Sequence, residues 1–141
     1  MINLSGEVLN ILRGYLDQLG VKYLVDQEKN RLIAPGFDVE GKKFGIITAI
    51  VGSWVVIHAH ILPKDKIPSR AETDVYKIML HANFSYPEIR YNIDDEGNLG
   101  TSQTIPLSGL NFEGFKSEYA AVFIAVKRFI TEIAPKFNIE I

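Results

Sequence analysis

The chain has 141 residues, the length of one ordinary domain, and 47% of them are hydrophobic and 23% charged. This composition supports a packed core and excludes a disordered or fibrous protein. Fifteen Lys and Arg residues against seventeen Asp and Glu give a net charge of −2, which argues against a nucleic-acid partner. The absence of cysteine excludes disulfides, thiolate catalysis, and zinc or iron–sulfur centres held by thiolates.

The beginning of the chain does not resemble a targeting signal. Residues Met1–Ser5 carry no basic side chain, and the apolar residues that follow are spaced rather than continuous. Gly45–Leu62 is uncharged and just long enough to cross a membrane. Its many β-branched residues, the Gly52-Ser53 pair at its middle and two histidines near its end favour a buried β-hairpin instead. We therefore expect a cytoplasmic protein without membrane attachment.

The first half of the chain predicts one helix followed by a series of strands. Apolar residues recur at helical spacing from about Ser5, a fair N-cap, to Leu19, and Gly20 ends the helix. The Pro35-Gly36 pair is predicted to end the second strand. Gly52-Ser53 joins the last two strands, which makes them antiparallel neighbours. The predicted strands are Tyr23–Val25, Arg31–Ala34, Phe44–Val51 and Trp54–Leu62.

The second half predicts a helix, a hairpin and a final helix. Ser69 and Glu72 have the spacing of a capping box at the start of the second helix, which closes near Asn83. Asn111 can cap the last helix, which reaches about Ala134. The hairpin strands are Ile89–Ile93 and Leu99–Ile105. This order predicts one α+β domain spanning residues 1–141, with helices packed on one face of an antiparallel sheet.

The last helix contains more apolar surface than one packing contact requires. Residues Tyr119–Val126 are apolar on every side of the helix, whereas a helix on a sheet buries a single stripe. Ala121 and Ala125 are small enough for another helix to approach closely. The first helix of the same chain or a second subunit could supply that cover, so both alanines are candidate partner-binding residues.

The strand Trp54–Leu62 has one ordinary core face and one mixed face. Side chains alternate along a strand, so the four apolar residues at odd positions from Val55 to Ile61 share one face. The other face carries a tryptophan and two imidazoles together with Val56 and Leu62, a composition typical of a contact surface rather than of open solvent. We expect this face to bind another polypeptide, of the same chain or a different one. Its candidate residues are Trp54, Val56, His58 and His60.

The motif-like segments of the chain fail the requirements of their chemistry. Gly36–Lys43 lacks the Ser or Thr of a phosphate-binding loop and precedes a strand where the motif needs a helix. The twelfth residue counted from Asp94 is Ile105, where a calcium loop needs a bidentate Glu. The chain has no nucleophile elbow of the Gly-x-Ser-x-Gly type. We therefore predict no catalytic residue and no cofactor.

Two histidines on one strand face could share a metal ion. His58 and His60 point the same way, but a metal site needs a third ligand, and nothing in the sequence places His81 beside them. No metal site is predicted. A small-molecule or metal-binding role for the Trp54, His58 and His60 face remains the alternative to polypeptide binding.

The order of elements and turns resembles the YbjN family along nearly the whole chain. The resemblance is carried in the first half by Gly20–Tyr23 and Ile61–Pro63, and in the second half by Lys77–Asn83, Asp94–Leu99 and Ile105–Leu107. Proteins with the related fold of type III secretion chaperones share the same order of helices, strands and hairpin. The matching residues are structural, so no functional residue is transferred by the resemblance.

The resemblance implies a protein without enzymatic activity. YbjN-like proteins are described as regulators of sensory transduction, and the secretion chaperones are homodimers that hold extended segments of client proteins. We therefore expect a chaperone-like or regulatory protein-binding domain, homodimeric, with a possible protein client.

Overall fold

The computed structural model describes residues 4–141, in which three long helices cover one face of a six-stranded antiparallel sheet. Met1–Asn3, part of the segment that was expected to carry no targeting signal, lie outside that range. The helices and strands, in chain order, are α1 Leu4–Gln18, β1 Leu24–Asp26, β2 Arg31–Val39, β3 Lys42–Val51, β4 Trp54–Leu62, α2 Glu72–Ser85, β5 Tyr91–Ile93, β6 Leu99–Pro106 and α3 Phe112–Arg128.

The strand order is β1-β2-β3-β4-β6-β5, and every pair of neighbours is antiparallel. The first four strands form a meander. The helix α2 follows β4 in the chain, and the β5–β6 hairpin then joins the sheet with β6 paired to β4 and β5 at the edge. Gly52 has a φ of +59° in the β3–β4 turn, a left-handed conformation that glycine adopts without strain. The α+β class and the predicted helix–meander–helix–hairpin–helix order are confirmed.

The core lies between the sheet and the helices. Along β4 the side chains of Val55, Ile57 and Ala59 are buried, as the alternation predicted. Phe115 and Phe129 are fully buried on the helix side. Other members of the same cluster are Leu12, Leu16, Leu32, Ile46, Val75, Leu99 and Val122.

Strand β2 continues through Pro35-Gly36, so the predicted end at that pair is wrong. A bulge between Ala34 and Phe37 shifts the register against β3; at a bulge a proline, which has no N–H, is tolerated in a strand. Beyond the bulge, Phe37 and Phe44 lie against Phe123 of α3, with ring centroids 5.9 and 6.1 Å away. The end of the β2–β3 hairpin is thereby fastened to the helix layer.

The three predicted helix caps have different outcomes. Ser5 does not cap α1, because it lies inside that helix, Leu4–Gln18. Asn111 caps α3 as predicted, because its side-chain oxygen accepts a hydrogen bond from the Gly114 N–H at 2.8 Å. The prediction of a capping box at Ser69 is wrong. Ser69–Ala71 form a 3₁₀ turn, and α2 begins at Glu72 with no side-chain cap. The Glu72 carboxylate instead accepts a hydrogen bond from the Tyr76 hydroxyl at 2.9 Å.

The last helix changes its geometry before it ends. After Arg128 the chain makes a π-helical turn over Phe129–Ile133 and a 3₁₀ turn over Ala134–Phe137. Asn138 is left-handed with a φ of +54°, and the Ile139 N–H donates to the Ala134 carbonyl at 3.0 Å. The chain therefore turns back, and Ile139 is buried in the core.

Tyr91 joins the edge strand β5 to both neighbouring helices. Its hydroxyl donates to the Ala125 carbonyl of α3 at 2.7 Å. The side chain of Asn83 in α2 bonds both the N–H and the carbonyl of Tyr91, at 2.7 and 3.1 Å. Burial raises the pKa of Tyr91 and of Tyr119, but the buried Tyr119 hydroxyl has no hydrogen-bond partner among the residues that the structure describes.

Removing these two hydroxyls should have different effects on stability. Tyr91→Phe deletes a buried hydrogen bond, so we expect the free energy of unfolding to fall by about 1 kcal/mol. Tyr119→Phe, the matched control, deletes a buried hydroxyl without a partner and should be neutral or stabilising. Urea unfolding followed by circular dichroism measures both. Equal losses in the two variants would contradict the assignment of the Tyr91 bond.

Candidate polypeptide-binding site

The sheet face turned away from the helices is here called the open face. The register places Ile33, Ile47 and His58 side by side across three strands, with Ala49 beside Val56 and Val51 beside Trp54 in the next rows. Its residues are half-buried or exposed, in contrast to the buried residues that alternate with them. The open face includes Leu24, Ile33, Ile47, Ala49, Val51, Trp54, Val56, His58 and His60, and the same register places Arg31, Ser102, Thr104 and Pro106 on it.

Trp54 lies at the apolar end of this face. It pairs with Val51 across the hairpin and with Pro106 on β6. The exposed fractions of Trp54 and Val51 are 47% and 57%, and that of Leu24 on β1 is 63%. Antiparallel sheets usually alternate apolar and polar residues so that the solvent side is polar. The exposed aliphatic and aromatic residues at this end of the open face therefore make it a candidate contact surface.

His58 and His60 mark the polar end of the open face. Their rings meet edge to face with centroids 5.8 Å apart. Burial lowers the pKa of His58, and the charges of His60 and Arg31 lower it further. Around them is a cleft of about 280 Å³ whose polar lining includes Asn92, Asp94 and Ser102.

The polar end offers hydrogen bonds but no strong metal site. Within residues 4–141, no group of three or more His, Cys, Asp or Glu side chains could hold a metal ion. The Asp94 carboxylate accepts hydrogen bonds from the N–H groups of Asn98 and Glu96, both at 2.9 Å, and these bonds lower its pKa. It is therefore already engaged in shaping the β5–β6 turn.

Ala121 and Ala125 do not belong to an accessible surface. Both are buried within the chain, and the Ala125 carbonyl accepts the Tyr91 hydroxyl. The small residues allow close packing inside the molecule, which corrects the expectation that they face a partner. The exposed apolar residues of α3 are Ala120 and Ile124.

A second exposed apolar surface was missed at the sequence level. Leu80 and Phe84 stand one turn apart on α2, with 68% and 87% of their surfaces exposed. Ile93 on the adjacent strand β5 is also exposed. This set is called the α2 edge. The sequence did contain a signal for this surface. Leu80 and Phe84 are apolar residues of the second helix that fall outside the buried positions Val75, Met79 and Ala82.

Comparison with sequence families gives no match. No family model matches the chain, and no curated protein matches it. The relationship to known proteins therefore rests on structure.

Several solved structures share the fold at low sequence identity. The ExsC–ExsE complex superimposes with a TM-score of 0.67 and 14% identity, covering 91% of this chain and 94% of that chain. YbjN from E. coli gives 0.61 and 15%, covering 89% and 92%. The HopA1–SchA chaperone–effector complex gives 0.59 and 16%, covering 89% and 92%.

These similarities define the class of fold. The chain has a YbjN-like fold of the kind also found in type III secretion chaperone complexes, as the sequence resemblance implied. At these identities the similarity concerns the fold and transfers no residue. Within residues 4–141, no helix has the length and apolar character needed to span a membrane; the segment Gly45–Leu62 forms β3 and β4.

His58 should make stability fall on acidification. Its pKa in the folded protein lies below the ordinary 6.5, so below about pH 6.5 the unfolded chain binds more protons than the folded chain, and stability falls as pH falls. We expect His58→Gln to lose less stability than wild type between about pH 7 and about pH 5. Thermal unfolding across this range measures the effect. The exposed His81→Gln on α2 serves as the control, and identical slopes for wild type and His58→Gln would contradict the prediction.

Proposed function

We propose that this protein is a single-domain, cytoplasmic, non-enzymatic chaperone-like or regulatory protein that forms a homodimer and binds a polypeptide partner on its open face. The observation that carries the proposal is the asymmetry of the sheet. One face is buried under three helices, and in residues 4–141 no helix covers the other, although Leu24, Val51 and Trp54 are exposed on it.

The open face has the arrangement of a protein-binding surface. Its apolar end, around Trp54, Val51 and Val56, would gain free energy on leaving water. Polar groups of the open face, including His58, Ser102 and Thr104, can bond a partner's backbone. A half-exposed tryptophan in such a patch is a residue type that often dominates binding energy.

The structural neighbours support a protein-binding role. ExsC–ExsE and HopA1–SchA were solved as complexes, and the latter is a chaperone with its effector. A shared fold with identity near 15% does not carry the partners across, so the partner of this chain must be recognised through its own surfaces. The neighbours therefore support the class of function, and the open face supports its location.

The α2 edge supports the homodimer. Leu80 and Phe84 project from α2 beside β5, the strand at the end of the sheet, whose outer edge is unpaired in the described residues. A two-fold axis at this edge would bring the same residues of two copies together and cover the free edge of β5. Dimerisation there leaves the open face of each copy free for a client.

The polar end of the open face favours a second candidate function, the binding of a small polar molecule. The cleft of about 280 Å³ beside His58 and His60 is within reach of Asn92 and Ser102. A thermal-shift screen with metabolites and divalent metals tests it, because a ligand that binds the folded state raises the melting temperature with concentration. A concentration-dependent rise that is lost in His58→Gln would favour this function.

The client site is tested with linear peptides selected from a displayed random library on the immobilised protein. We expect Trp54→Ala to weaken the selected peptides about 30-fold, equivalent to about 2 kcal/mol, because tryptophan anchors contribute that much in protein interfaces. Fluorescence anisotropy of labelled peptides measures this. Trp54 is the one tryptophan of the chain, so in wild type its emission should also shift to shorter wavelength on binding. Unchanged affinity in Trp54→Ala would overturn the location.

The dimer is tested by sedimentation equilibrium. Wild type should have twice the 15.8 kDa mass of one chain, and the double variant Leu80→Lys/Phe84→Lys should have the mass of one chain, because two lysines cannot be buried across a two-fold contact without cost. Trp54→Ala is the matched control and should remain dimeric. The reverse pattern would show that the open face joins the two copies.

A further inference from the structure

A cleft opens through the sheet where β3 and β4 separate. Their pairing ends at Ile47 opposite His58. Beyond this point β3 follows β2 toward α3, while β4 stays paired with β6. The resulting cleft has a volume of about 370 Å³ and is lined mainly by apolar side chains, with Ile61, Val126 and Ile130 on its helix side. Ile47 and His60 belong both to the cleft and to the open face.

Backbone groups on both sides of the cleft lack a strand partner. The Ile50 N–H bonds the Asn30 carbonyl, so even-numbered residues of β3 bond toward β2 and Gly45 faces β4. The Leu107 N–H bonds the Ser53 carbonyl, so odd-numbered residues of β4 bond toward β6 and His60 faces β3. In the described ladder Gly45 and His60 are not paired with each other. An extended segment is the structure that satisfies such groups.

The charged side chains that line the cleft are Lys42 and Lys43. No Asp or Glu side chain of the described residues lines it, although Glu40 and Glu140 line an adjoining cavity that shares Lys42 with it. Lys43 has a nearby carboxylate on Asp38, but the two charged atoms are 3.8 Å apart and both side chains are mostly exposed, so the pair is weak. The cleft therefore favours an occupant with acidic groups beside apolar ones.

The C-terminal residues of the described chain lie at this cleft. After the turn at Asn138, Ile139 is buried, Glu140 is exposed and Ile141 lines the cleft. Apolar and acidic residues alternate in this segment, and Ile139 and Glu140 line the adjoining cavity together with Lys42. Ile141 fills part of the cleft and would compete with an incoming segment.

From these observations we infer that the cleft between β3 and β4 binds an extended client segment in which apolar residues alternate with acidic ones. This inference rests on the proposed protein-binding function and names the chemistry of the partner. The apolar side chains enter between Ile61 and Val126, and the acidic side chains pair with Lys42 and Lys43.

The probe is a short amidated peptide of repeated Ile-Glu units, compared with one of repeated Ile-Lys units. We expect the full chain to bind the Ile-Glu peptide and to discriminate against the Ile-Lys peptide, with affinity falling as salt is added. The charge reversal Lys42→Glu/Lys43→Glu should weaken the Ile-Glu peptide roughly tenfold. Lys116→Glu/Lys127→Glu on α3 makes the same change of charge outside the cleft and should bind as wild type does. Fluorescence anisotropy measures each affinity.

A variant lacking Ile141 tests the competition. It should bind the Ile-Glu peptide several-fold more tightly, because the part of the cleft that Ile141 fills becomes free. Equal affinity for the two peptides, equal loss in the two charge-reversed variants, or binding of a fatty acid such as dodecanoate in place of the peptide would overturn the inference. If library-selected peptides still depend on Trp54 while the Ile-Glu peptide does not bind, the proposed function stands and this inference fails.

Discussion

The alternation of side chains along β4 is the constraint on which the structure depends. β4 is the strand between β3 and β6, and its odd-numbered residues Val55 to Ile61 are buried under the helices. Once this face is buried, the even-numbered side chains from Trp54 to His60 must point to the other side, because a shift of one residue would exchange the two faces. A register shift after His60 returns Leu62 to the core. The exposure of Trp54 is therefore a consequence of how the core is built. A protein that needed only a stable core could have placed a polar residue there at little cost.

The bend of the β2–β3 hairpin is the second determinant of function. The bulge at Pro35-Gly36 turns the hairpin toward α3, where Phe37 and Phe44 pack on Phe123. This contact covers part of the apolar surface of α3 that the sequence leaves unexplained. It also separates β3 from the part of β4 that follows His58. The cleft exists because the end of the β2–β3 hairpin packs on α3 instead of pairing with β4.

The sequence predicts the fold well because the strongest signals are periodic. The two faces of β4, the span of α1 and the Asn111 cap all follow from local patterns that the structure keeps. Local rules fail where the neighbours of a segment decide its structure. Pro35-Gly36 signals a break, but the pairing with β3 on both sides holds the strand together through a bulge. Ser69 has the residue type of a cap, yet the turn after Pro68 starts the helix three residues later.

The functional surfaces were only partly predictable for the same reason. Periodicity identifies Trp54, Val56, His58 and His60 as one face, but burial depends on what packs against each face, which a single sequence does not show. Ala121 and Ala125 are small residues in an apolar helix, and that pattern is identical for a subunit contact and for an internal one. The burial of both alanines in the described residues shows that the small side chains serve the molecule's own packing. Leu80 and Phe84 show the opposite case. An apolar residue on a helix is expected to be buried, and only the fold shows that these two are exposed.

The open face and the cleft are continuous, and this continuity sets the length of a client segment. Trp54 and His60 lie six positions apart on β4, a distance of about 20 Å along an extended strand. A segment lying along β4 from Trp54 would reach His60, where β3 departs and Lys42 and Lys43 line the cleft. Its first part would need apolar residues for the open face, and its last part would need the alternating apolar and acidic pattern. Because the two halves make different physical demands, specificity can come from the cleft while most of the binding energy comes from the tryptophan face.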